Sequence, residues 1–363
     1  MEMVKREGLV IAIAIFALTL PFTTWYRFYK IPVNVAVIET PMYLLTMGFP
    51  ILIGLGLLYT NLWLGMLVIY STLNVITRPN TLNMQSVEWF SYGCLMFEIV
   101  RLYVTDRMIY YIKIGFAFVG ILESVYAIHQ ILGYDIIWFG WHKAFYYVHG
   151  TLGNPNYLAV FQVICSSVSP LCLSWFMLIG IILSKSYLGI MGFVIIMTVR
   201  LQNFWVTVYV SLIAFWVTIA DLIDRFFFQH SFLWKFSMTE RLAILWLGMS
   251  DVIRNAKWFG FGLGGWFIRS QELQSKSGLL KSFVEFYAQM HNEFAQFYYE
   301  SGIVGLVILC GLLFKFRRSL IKAPVVGAIL TSLGMFPFHL VAIAIPLILA
   351  LGTTVRERKE INA

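Results

Sequence analysis

Residues 171–200 read LCLSWFMLIGIILSKSYLGIMGFVIIMTVR. Two apolar runs, 171–184 and 186–200, flank Ser184-Lys185-Ser186, and the second ends on Arg200. Each run is near the lower length limit for a helix crossing the hydrocarbon core of a bilayer. The same texture recurs at 8–26, 38–60, 61–77, 87–104, 108–132, 155–170, 202–220, 300–314, 323–336 and 338–354. The 363-residue chain is 60% hydrophobic and only 12% charged. A soluble domain carries roughly twice that charged fraction, so there is too little polar surface here to cover a water-soluble globule. The expected fold class is all-α, a polytopic transmembrane helical bundle of about twelve spans in one integral membrane domain, residues 1–363.

Charge placement orients this bundle. Lys5-Arg6 precede the first run, and no small-residue cleavage site follows it, so it reads as an uncleaved helix starting in the cytoplasm. Counting crossings from there places Arg101/Arg107, Arg200, Lys315/Arg317/Arg318 and Arg356/Arg358/Lys359 on the cytoplasmic side, with both termini inside. The net charge of +8 is then the cytoplasmic excess of Lys and Arg rather than a nucleic-acid footprint. Residues 221–299 become one large non-cytoplasmic loop between spans 9 and 10. In it, Ser237-x-x-Glu240 forms a capping-box pattern that predicts a helix through about Ala256, with Leu242, Leu245, Met249, Val252 and Ile253 on one apolar face. A second helical stretch is expected from about Ser282 into the next span. Cys94, Cys165, Cys172 and Cys310 lie in or beside apolar runs, without metal or disulfide spacing, and read as packing residues.

Chemistry-bearing residues are few. His291-Asn292 precedes the run that starts near Gly302; its imidazole is either a general base or the hydrogen-bonding partner of a loop that meets the bundle. Lys185 is either an anion ligand or a cation snorkelling to the interface. Arg241, next to the capping-box Glu240, can grip phosphate oxygens at a helix N-terminus or stand as a surface arginine. Asn154 and Asn156, in GTLGNPNYLA at 150–159, either form the turn that starts a helix or hold a polar substrate. The glycines of FGFGLGGW at 259–266 lack the preceding strand and the following Lys-Ser/Thr of a phosphate loop, and point to close backbone packing or to a loop at a membrane-facing cleft. Scattered histidines and unpaired carboxylates suggest no metal site, and no cofactor is expected.

Taken in order, these signals resemble the O-antigen ligase and polymerase family of bacterial membrane glycosyltransferases. The GTLGNPNYLA segment is similar to the motif before a central span of that family. Ser184-Lys185-Ser186 falls where the family has Ser-Arg and a small residue. Arg241, Trp246 and Trp258-Phe259-Gly260-Phe261-Gly262-Leu263-Gly264 resemble its "R…W…NPLFGVGLG" stretch, with Lys257 and Trp258 where a proline is usual. His291-Asn292 with Glu300-Ser301-Gly302-Ile303-Val304-Gly305 resembles its "HN…E-x-G-I-x-G" ending. The resemblance spans roughly 150–310 and implies a fold, a reaction and partners. These are an inner-membrane enzyme with its site on the periplasmic face, and transfer of a glycan from undecaprenyl diphosphate to a saccharide or lipid A–core acceptor. It also implies that Lys185 and Arg241 hold the diphosphate, that His291 activates the acceptor hydroxyl, and that Asn154, Asn156 and Asn292 position substrate. Membrane lipids, and no nucleic acid, complete the expected partners. A transporter or flippase for a lipid-linked glycan is the alternative from another class.

Overall fold

The computed structural model describes residues 39–77, 81–133, 148–202, 212, 232–277, 289–334, 337–339 and 341–356. Twelve α-helices and short 3₁₀ turns, and no strand, occur among the described residues. The first four helices are α1 (Glu39–Thr60), α2 (Leu62–Ile76), α3 (Thr81–Tyr103) and α4 (Asp106–Ile131). A 3₁₀ turn at Gly150–Leu152 leads into α5 (Pro155–Val168), α6 (Leu171–Leu183) and α7 (Tyr187–Leu201). After these come α8 (Phe232–Asn255), α9 (Gly265–Lys276), α10 (Glu293–Lys315), α11 (Ala323–Gly334) and α12 (Val341–Val355). The apolar runs thus become helices within a few residues of their expected bounds, except 8–26 and 202–220, which lie outside the described residues but for Leu212. Among the described residues two helices, Asp106–Ile131 and Glu293–Lys315, are long and apolar enough by themselves to cross a bilayer.

Local chemistry sets the helix ends. Thr105 caps α4, accepting from the Met108 amide at 3.3 Å. Asn154 caps α5, with Pro155 at the first helical position, where a missing N–H costs nothing. Pro170 separates α5 from α6, and Ser186 caps α7.

Hydrogen bonds sort the helix ends into two groups. At one end Asn61 donates to Glu98, Arg200 to the Ser169 carbonyl, Lys322 to the Thr354 carbonyl and Arg356 to Asp106. At the other end Asn74 meets the Phe259 carbonyl, Ser186 meets Asn156, and Asn292 meets the Leu333 carbonyl. From α1 to α7 successive helices therefore reverse direction. The surface of the bundle, around an apolar core, is also unlike that of a soluble protein. Phe118, Leu122, Val125 and Ile128 of α4 are exposed, whereas Glu123 and Ser124 on the same helix are buried. Glu98, Arg101, Gln162 and Ser166 are buried as well. Polar groups inside and large apolar groups outside are what a lipid solvent demands.

The segment 221–299 differs from expectation in its details. Ser237 does not open a helix, because α8 starts at Phe232, and the capping-box pattern lies inside it. Nothing in Phe232-Leu-Trp-Lys-Phe breaks a helix, so it continues through Ser237. The buried face of α8 is also rotated: Ile244, Gly248 and Val252 face inward, while Leu242 and Ile253 are exposed. The helix α9 had no sequence signal beyond the glycines before it. The stretch after Ser282 lies largely outside the described residues, and α10 begins only at Glu293. It kinks at Gly302 (φ 64°, ψ −166°), the point where the sequence placed the start of a span. Cys94 and Cys165 are buried as expected, whereas Cys172 and Cys310 are exposed.

Candidate active site at one end of the bundle

Lys185 sits in the turn between α6 and α7 with φ 53°, a left-handed conformation that a side chain with a Cβ adopts at a cost. Its amide donates to the Ile182 carbonyl at 3.0 Å, ending α6. Both neighbours are tied down. Ser184 Oγ donates to the Ile181 carbonyl at 2.7 Å, and Ser186 Oγ donates to Asn156 Oδ1 at 2.9 Å. The Ser186–Asn156 bond joins this turn to the start of α5. There Asn154 Oδ1 accepts from the Asn156 amide at 2.9 Å, so Asn154 acts as a helix cap.

His291 is left-handed as well, with φ 56°. The residues on either side fix it. The Met290 amide donates to Gln296 Oε1 at 3.1 Å; Asn292 Oδ1 caps α10 at the Ala295 amide (3.0 Å), and its Nδ2 donates to the Leu333 carbonyl at 2.9 Å. Both ends of the Asn292 side chain are thus engaged with protein. Gly248 of α8 makes room for Met290: a Cβ there would lie 2.4 Å from Met290 Cε.

Arg241 is half-buried near the middle of α8, several turns from either end, so no helix-terminus field assists it. Its guanidinium is close enough to act electrostatically on both His291 and Tyr157, the residue after Asn156. Burial, and next the Arg241 charge, push the His291 imidazole down to about 4. Its neutral, proton-accepting form therefore prevails at neutral pH. The turn bearing Lys185, the start of α5, the middle of α8 and the residue before α10 converge on one end of the bundle. Tyr157, which sequence reasoning gave no role, stands among them.

A glycine-rich crossing supports this arrangement. The amides of Phe261 and Gly262 donate to the carbonyls of Tyr299 and Glu300, at 3.0 and 2.8 Å, and those of Ile303 and Val304 to Lys257 and Trp258, at 3.0 and 3.1 Å. Backbones can approach so closely only because Gly260 and Gly302 lack side chains; a Cβ on either would meet the other strand's backbone at 2.4 Å. Asn74 of α2 anchors the crossing through the Phe259 carbonyl at 2.6 Å. A further cluster holds α8, α9 and α10 together: Tyr299 donates to Asp251 at 2.7 Å, and Arg269 reaches Asp251 at 3.3 Å while covering the Phe261 ring at 4.1 Å.

Residues 172–310 match the family model described as O-Antigen ligase. Over that segment the chain is similar to O-antigen ligases. The match starts in α6 and ends in α10, so it contains Lys185, Arg241, the glycine crossing and His291, but not Asn154, Asn156 or Tyr157. No curated protein and no solved structure matches the chain. The match supports, at the level of class, an O-antigen-ligase-type function.

Proposed function

We propose that the protein is an inverting glycosyltransferase that moves a glycan from undecaprenyl diphosphate to an acceptor hydroxyl, on lipid A–core or on a growing polysaccharide. The observation that carries this reading is the convergence of Lys185, Arg241 and His291, from three separate elements, at the bundle end opposite Arg200, Lys322 and Arg356. By the cytoplasmic preference of basic residues, that end is periplasmic, in the bacterial inner membrane, with both termini in the cytoplasm and 221–299 as the large outer loop.

The chemistry follows from the groups available. Lys185 neutralises one part of the donor diphosphate as a point charge, and Arg241 grips another through its fork. With its charge stabilised, the diphosphate is a competent leaving group without a metal ion. Neutral His291 accepts the acceptor's proton as its oxygen attacks the anomeric carbon, and one displacement inverts that centre. Diphosphate on Arg241 also removes the repulsion that depresses His291, so donor binding strengthens the base. Asn154 and Asn292 serve through their caps, and Asn156 through Ser186 and the Lys185 turn.

The test is purified protein in nanodiscs with an undecaprenyl-diphosphate glycan, candidate acceptors and EDTA, read by mass spectrometry. A transferred glycan that persists in EDTA and disappears in His291→Ala is the expected result. A single new linkage to core sugar identifies a ligase, and a ladder of repeats a polymerase. Donor movement across liposomes with no product from any acceptor would replace this reading with a flippase.

A further inference from the structure

Behind the proposed site lies a carboxyl that the mechanism does not use. Glu123 is fully buried on α4, a helix long and apolar enough to cross a bilayer. A carboxyl in such a place is costly, so its partners are informative. Both of its oxygens are directed at one residue: Oε2 accepts the Thr151 amide at 3.0 Å, and Oε1 accepts the Thr151 hydroxyl. The preceding Gly150 has φ 61°, and a Cβ on it would lie 2.5 Å from Glu123 Oε2, so glycine is what admits the carboxyl. Two helical turns further along, Gln130 Oε1 accepts the amides of His149 and Gly150 at 3.1 and 2.8 Å. Two side chains of α4 thus clamp three consecutive residues of the 3₁₀ turn.

That turn leads directly to the proposed donor ligand. Thr151 is followed by Leu152, Gly153 (φ 72°) and the cap Asn154. Asn154 fixes the Asn156 amide, Asn156 accepts from Ser186, and Ser186 adjoins the strained Lys185. Each link is a short hydrogen bond or a chain neighbour, and none is a flexible surface contact.

We propose that Glu123 is a positioning residue for donor capture, which sets the Lys185 turn through Thr151 and the Asn154–Asn156–Ser186 relay. This rests on the reading of Lys185 as a diphosphate ligand. A carboxyl suits the task because it accepts two donors from one residue and so fixes orientation as well as distance. Glutamine preserves the latch: its carbonyl accepts the Thr151 amide, and its amide group donates to the Thr151 hydroxyl. Alanine removes it.

The experiment compares Glu123→Ala and Glu123→Gln with the native full-length protein in nanodiscs. Two quantities are read: the reductive-methylation rate of Lys185 by peptide mass spectrometry, and KM and kcat for an undecaprenyl-diphosphate glycan. In Glu123→Ala the Lys185 rate changes and donor KM rises about tenfold with kcat largely kept, the scale expected when a binding group is misplaced from a distance. Glu123→Gln restores both. A Lys185 rate and KM that stay native in Glu123→Ala overturn the proposal, as does a Glu123→Gln variant as impaired as Glu123→Ala. A changed Lys185 rate with native KM upholds the relay but removes Lys185 from donor binding. If Glu123→Ala does not fold, Thr151→Val, which keeps the shape and loses the hydroxyl, must shift both quantities the same way.

Discussion

At the scale of single residues, two non-glycine residues in left-handed backbone carry the proposed chemistry, and both hold that conformation through their neighbours. Lys185→Gly separates backbone strain from charge. Glycine relieves a strain of about 1 kcal/mol, so thermal stability is expected to hold or rise. Losing the cation removes a charge-assisted contact of about 1.5–3 kcal/mol, so donor KM is expected to rise about 10- to 100-fold. Melting curves and steady-state kinetics on one preparation check both. His291 gives a pH prediction. Its folded value near 4 lies below the ordinary histidine range, so the neutral base persists as pH falls and is lost only around pH 4. The acidic limb of kcat/KM, which reports free enzyme, is expected there; that of kcat lies higher, because bound diphosphate offsets Arg241. Lys185, Arg241 and His291 could be singled out as candidates from the sequence. The left-handed turns at Lys185 and His291 and the field of Arg241 on His291 could not, since they depend on the folded surroundings.

At the scale of elements, the apolar runs predicted α1 to α7 and α10 to α12 closely, because a lipid-solvated helix announces itself by length and hydropathy. The outer segment was harder. Ser237-x-x-Glu240 satisfies the capping pattern, yet nothing before it stops a helix, and α8 continues through it. The glycines of 260–265 signalled close packing, but not that their partner would be the kink at Gly302, some forty positions on. Gly260→Ala and Gly302→Ala are each expected to destabilise the fold by more than about 1 kcal/mol, because each adds a clash with backbone at a positive φ. Both should melt earlier, by fluorescence-detected size exclusion. Gly248→Ala differs: its Cβ meets the movable end of Met290, next to His291. Stability should fall less than in those two variants, although the buried Trp266 ring at 3.0 Å must also give, while kcat falls because the base is displaced.

At the scale of the whole molecule, the decisive feature is that large apolar side chains are exposed on the outside while an apolar core also buries several polar groups, with the helix ends sorted into two sets. Composition made the membrane class readable in advance; the orientation that charge placement implies, and the number of spans, are questions for topology mapping. Single cysteines on a cysteine-free background, at Ser277 beside α9 and at Arg318 after α10, should report that orientation. A membrane-impermeant maleimide added to spheroplasts is expected to label the first and spare the second; the reverse pattern would invert the orientation. The central claim is that elements distant in sequence assemble one site, with Arg241 of α8 acting on His291 before α10. It is tested most directly by the pH dependence of His291 acylation by diethyl pyrocarbonate, followed by peptide mass spectrometry in native protein and Arg241→Gln. Only neutral imidazole reacts, so the rate reports protonation of that one residue. The predicted midpoint is near 4 in native protein, and it moves upward in Arg241→Gln while burial holds it below the ordinary value. A native midpoint at the ordinary histidine value, or one unmoved by Arg241→Gln, would contradict the assembled site.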